Sequence, residues 1–111
     1  MNKRFGAAAL GLLAVLQLGA ARADETYLIH GAVWDYYEKY LDQIGHGMKP
    51  GVFVITPDGL GATYRYCPET RCRTNMNLQT KSLQDCEKEY GVECVVFAVR
   101  DEIRVQYEIA D

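Results

Sequence analysis

The chain is poor in the groups that hydrolytic chemistry needs. Serine occurs once, as Ser82, and histidine twice, as His30 and His46. A Ser/His hydrolase requires a nucleophile, a base and a group that orients the base. Ser82 lies in a stretch of helical pattern, where a small residue serves packing. The two histidines flank another helical stretch, roughly 24 Å apart at 1.5 Å per residue, too far to converge on one metal or substrate. His46, in "GHG", is a weak candidate for metal binding or for titration near neutral pH. No Gly-rich phosphate loop is present, because Gly59 and Gly61 in "DGLG" suit a hairpin turn. Clustered lysine and arginine are missing too, which excludes a nucleic-acid footprint. Repeats and low-complexity tracts are also lacking. These absences point away from an enzyme and away from any cofactor.

One long apolar run exists, and it reads as an address. Residues 1–23, "MNKRFGAAALGLLAVLQLGAARA", carry Lys3 and Arg4, then an apolar core, then Ala21-Arg22-Ala23 with small residues at −3 and −1. That is the three-part pattern of a secretory signal peptide. The run is short for ~30 Å of hydrocarbon, so no stable membrane span is expected after cleavage. The expected mature domain is 24–111, exported to the periplasm or fully secreted. Three of the 12 basic residues leave with the leader while all 15 acidic ones stay, moving the formal charge from −3 to about −6.

The remaining residues fit one small α+β domain. Val33, Trp34, Tyr37, Tyr40, Leu41 and Ile44 recur at steps of three and four, predicting a helix over 30–44 that stops at Gly45 and Gly47. "GVFVITPDGLGATYRY" predicts a hairpin, with a turn at Pro57-Asp58-Gly59. Val52 and Val54 share one strand face, Phe53 and Ile55 the other, so this strand is expected to be covered on both sides. On its partner, Tyr64 and Tyr66 oppose Thr63 and Arg65. Leu78, Ser82, Cys86 and Tyr90 fall four apart, predicting a helix over 77–90 with Gly91 as its left-handed cap. A second hairpin follows, Cys94–Val99 and Ile103–Ile109 about an Arg100-Asp101-Glu102 turn. Val95, Phe97 and Val99 are expected on one face. The expectation is α-ββ-α-ββ: about four antiparallel strands in two hairpins with two helices, stapled by disulfides.

All four cysteines, Cys67, Cys72, Cys86 and Cys94, lie beyond the leader. A redox couple favours C-x-x-C at a helix N-terminus. Structural zinc favours two tight pairs with two to four intervening residues. Neither spacing occurs, and an even count in an oxidising compartment favours disulfides. Of the three possible connectivities, the local pairs Cys67–Cys72 and Cys86–Cys94 are favoured. Glu87, Glu89 and Glu93 surround the second pair. Such carboxylates can do acid–base work, but a run at a helix end is ordinarily solvated.

"GVFVITPDGLGATYRYCPETRC" followed by "SLQDCEKEYGVECVVFAV" resembles a group of uncharacterised small secreted alphaproteobacterial proteins and domains. Their pattern is an F-A-V-S-x-D-G strand, a Y-x-Y-C-P…C segment, a helix ending in C-E, then G-x-x-C and an apolar strand ending in F/Y-A. Phe53, Asp58, Gly59, Tyr64, Tyr66, Cys67, Pro68, Cys72, Cys86, Glu87, Gly91, Cys94, Phe97 and Ala98 match it, over about residues 51–99. Val54-Ile55-Thr56 departs from the commoner A-V-S. The resemblance implies secretion and the four-cysteine pattern, and it carries no activity.

The eight tyrosines are the most suggestive feature. Tyr36 and Tyr37 cannot face the same way on a helix, so at least one is expected at the surface. Tyrosine is enriched at protein interfaces. Tyr36, Tyr37, Tyr64 and Tyr66 are therefore the candidate contact residues for another protein or envelope component. A second expectation is a secreted inhibitor of an exogenous hydrolase such as lysozyme, whose basic surface an acidic domain would complement.

Overall fold

The computed structural model describes residues 25–67 and 76–110. The expected leader, and Cys72 as the expected partner of Cys67, lie outside the described residues. The order is β1 (Thr26–His30), α1 (Gly31–Gln43), β2 (Gly51–Ile55), β3 (Ala62–Tyr66), α2 (Met76–Tyr90), β4 (Val95–Val99), β5 (Glu102–Ile103) and β6 (Gln106–Ala110). β3, β2, β4 and β5 form an antiparallel sheet in that order, and β1 pairs with β6 in parallel.

β2 is buried along its whole length, because each of its faces meets a different core. Phe53 and Ile55 join Val33, Tyr37, Tyr40 and Phe97 under α1. Val52 and Val54 join Cys86, Cys94 and Val96 under α2. The α+β class, both helices and the fully covered strand agree with the sequence.

Two expectations require correction. The last strand is not one arm of a simple hairpin: β5 ends after two residues, and the chain then leaves β4 to lie beside β1. Tyr27 and Ile29 of β1 enter the core under α1, so the pairing of β1 with β6 closes an apolar layer that the four-stranded sheet leaves open. The face assignment in β4 also changes. Phe53 pairs with Ala98 but Val54 pairs with Val96, so Phe97 is an extra residue, a β-bulge. The bulge switches the parity of side chains. Val95, Phe97 and Ala98 face α1, whereas Val99 packs beside Val52 under α2.

α1 ends in a Schellman motif: the amide of His46 donates to Leu41 O at 2.8 Å and that of Gly45 to Asp42 O at 3.1 Å. Gly45, His46 and Gly47 all have positive φ, and the loop lies against the β4–β5 turn. Arg100 in that turn also has positive φ (53°), costing about 1–3 kcal/mol for a residue with a Cβ. Three bonds hold it there. Its amide donates to Gly51 O (2.8 Å), its carbonyl accepts from Tyr40 Oη (2.7 Å), and its guanidinium donates to Gly47 O (3.0 Å).

Cys86 and Cys94 form a disulfide across the Gly91 reversal, as the local pairing requires. Cys67 is disulfide-bonded as well. Closing the short Cys86–Cys94 loop lowers the entropy of the unfolded chain by about 2–3 kcal/mol at room temperature. The double variant C86A/C94A is therefore expected to lose about that much stability in urea. An unchanged midpoint would show that this staple is dispensable.

Candidate functional site

Nine aromatic rings run contiguously over the α1 face of the sheet: Trp34, Tyr36, Tyr37, Tyr40, Phe53, Tyr64, Tyr66, Phe97 and Tyr107. Phe53 is their hub. The cluster forms because α1 presents a ring at every turn of its inner face while β3 contributes Tyr64 and Tyr66 from its edge position.

The four candidate contact tyrosines divide sharply. Tyr37 is only 2 % exposed and belongs to the core, so it offers nothing to a partner. Burial, and then Asp101 and Tyr107, push its phenol up to about 12 from 10.0. Tyr40 is raised too, chiefly by burial, with Tyr37 and Asp101 adding to it and Arg100 opposing. Tyr66 is half-buried and donates to Gln43 Oε1 at 2.7 Å, which pins it over the end of α1. Tyr36 is 38 % exposed, and its ring packs 4.9 Å from that of Tyr64. Of the four, Tyr36 and Tyr64 form a surface pair.

The raised phenols set an alkaline limit on the fold. A tyrosine that ionises near 10 when unfolded but near 12 when folded adds nothing to pH dependence below pH 10. Between those values the unfolded chain loses its proton first and is stabilised. Stability should then fall with rising pH, by up to about 1.4 kcal/mol per pH unit for each such group. Urea midpoints should be level to pH 9 and drop by pH 11, and Y37F should flatten part of that drop. Equal midpoints at pH 9 and pH 11 would contradict the burial of these hydroxyls.

Beside Tyr36 lies an open groove of about 310 Å³ between the start of α1 and the end of α2, floored by Gly61, Ala62 and Thr63. Tyr90 forms its second aromatic wall. The stripe in α2 explains why: a stride of four residues advances about 40° beyond a full turn at each step. Ser82 and Cys86 therefore face the sheet, and Tyr90 has rotated to its margin. The Tyr90 hydroxyl takes the Ala62 amide at 3.3 Å and lies 3.4 Å from Ala62 O. A backbone position on the edge strand is thereby satisfied. A Cβ at Gly61 would come within 2.5 Å of the Tyr90 ring, so glycine there lets the ring lie on the strand. Tyr90 was not among the candidates from the sequence, and Glu89 figured there only in an acidic run expected to be solvated. The signal for Tyr90 was its place at the end of the four-step stripe.

A wider concavity of about 510 Å³ is lined by Val99, Arg100, Asp101, Glu102 and Arg104. Its arginines are committed, Arg100 to Gly47 O and Arg104 to Glu102 at 3.2 Å. Ser82 is fully buried and its hydroxyl has no hydrogen-bond partner among the described residues, as befits a packing residue and not an accessible nucleophile. His30 and His46 stand at opposite ends of α1. Among the described residues no group of three or more His, Cys, Asp or Glu could hold a metal ion. Likewise, no described helix is long and apolar enough to cross a membrane.

Fold and disulfide together define a small disulfide-stabilised α+β domain. Comparison with protein families, with curated proteins and with solved structures finds no match to this chain.

Proposed function

We propose that this is an exported, non-enzymatic domain that binds another protein or an envelope component through the Tyr36–Tyr64 face. The observation that carries the reading is the exposed Tyr36 ring, seated on Tyr64 at the wall of the groove. Rigid aromatic side chains give large contact area at low entropic cost. Export to the periplasm or beyond rests on the leader pattern of residues 1–23 and on the likeness to small secreted proteins. It fits the disulfide between Cys86 and Cys94. Affinity capture from envelope and secreted fractions tests the reading. A partner retained by the tagged domain should be lost with Y36A/Y64A, provided that circular dichroism shows the variant folded. Capture that survives both substitutions would end the claim for this face.

Inhibition of a basic hydrolase such as lysozyme is the second reading, favoured by the acidic excess of the chain. It fails if micromolar protein at low salt leaves the hydrolase fully active.

A further inference from the structure

If the Tyr36 face is a binding surface, the adjoining groove also specifies the chemistry of what enters it. Among the described residues, Glu89 is the one charged residue lining it, and no lysine or arginine joins it there. Glu89 makes no ion pair among the described residues, whereas Asp85, one turn earlier in α2, is taken by Arg65 at 2.6 Å. The aromatic walls are fixed in advance. Tyr36 rests on Tyr64 and Phe53 with ring centroids at 4.9 and 5.8 Å, and Tyr90 is anchored on Gly61 and Ala62.

We propose that the groove receives a basic side chain, an arginine protruding from a protein partner, between Tyr36 and Tyr90 with Glu89 as its counter-charge. Aromatic rings attract cations through the negative potential of their faces, and the planar guanidinium stacks on them as well. A volume of about 310 Å³ accommodates one long side chain. The electrostatics of the groove point the same way. The Tyr36 phenol is raised above 10.0 by burial first and then by Tyr64, Tyr90 and Glu89; of these only Glu89 is ionised at neutral pH, and its carboxylate disfavours added negative charge beside the ring. An anionic ligand would meet Glu89 without a cation to offset it.

The test is a titration of the isotope-labelled folded domain with acetyl-Gly-Arg-Gly-amide at low salt, followed by amide chemical shifts. The same peptide with citrulline, which keeps the shape and lacks the charge, serves as comparison. The arginine peptide should shift Gly61, Ala62, Thr63, Glu89 and Tyr90 and bind at least about fivefold more tightly than the citrulline peptide. E89Q, an exposed change that leaves the fold intact, should weaken arginine binding about two- to fivefold. Equal shifts with both peptides, shifts centred elsewhere, or no effect of E89Q would each overturn the proposal. A partner lost with Y36A/Y64A but retained undiminished by E89Q would overturn it too, while leaving the Tyr36–Tyr64 face as a binding surface. Selective binding of the arginine peptide would sustain the groove's chemistry even where capture finds no partner.

Discussion

Replacing Phe53 by alanine should destabilise the domain by about 3–5 kcal/mol, the usual range for a fully buried phenylalanine. Phe53 is 0 % exposed and sits on the central strand. Its ring lies 5.1 Å from Tyr37, 5.4 Å from Tyr40, 5.8 Å from Tyr36 and 6.0 Å from both Tyr64 and Phe97. Truncation removes buried apolar area and leaves a void that five large rings cannot all move to fill. Against a total of ~5–15 kcal/mol for a natural domain, the loss is a large fraction. Thermal melting should fall by at least about 12 °C. Because Tyr36 leans on Phe53, binding at the groove should weaken in the same variant. A loss below about 1 kcal/mol would mean that the aromatic cluster is not the main source of stability.

Gly59→Ala should cost about 2–5 kcal/mol, from two separate causes. Gly59 has φ = +73°, which disfavours any residue with a Cβ. The added methyl would also fall inside the van der Waals radius of the Leu28 carbonyl oxygen, on the backbone of β1. The turn cannot back away freely. The Thr56 hydroxyl bridges Asp58 Oδ1 (2.6 Å) and the Gly61 amide (3.0 Å), Asp58 also accepts from the Leu60 amide, and Gly59 O accepts from His30 N at 3.2 Å. Gly91→Ala separates the two causes. Gly91 has nearly the same φ, +70°, but open space where the Cβ would go, so only the conformational cost of about 1–2 kcal/mol applies. Equal urea midpoints for the two variants would refute the packing of the 56–61 turn against β1.

These two sites differ in how far they can be read without a structure. The alternation in "GVFVI", apolar on both faces, already marks Phe53 as buried in a doubly covered strand. Gly59 reads only as a turn residue, since nothing nearby in sequence reveals that β1 passes beneath it. Strand β1 itself was hidden. "TYLIH" is five residues long and runs directly into α1, so the helical pattern that follows masks its brief alternation.

Local order along the chain therefore determined the two helices with their glycine caps, the Cys86–Cys94 staple across one reversal, and the central strand with two apolar faces. Each depends on residues within a turn or two of one another, where spacing and side-chain periodicity act directly. The tertiary structure alone decided the parallel pairing of β1 with β6, whose side chains at Thr26 and Gln106 stand 80 positions apart. It alone placed the bulge that turns Phe97 and Ala98 to the same face, because a bulge depends on which partner residue each amide meets. The groove belongs with these. Tyr36, Gly61, Glu89 and Tyr90 come from α1, the β2–β3 turn and the end of α2, and only packing the two helices against the margin of one edge strand brings two rings and an unpaired carboxylate together.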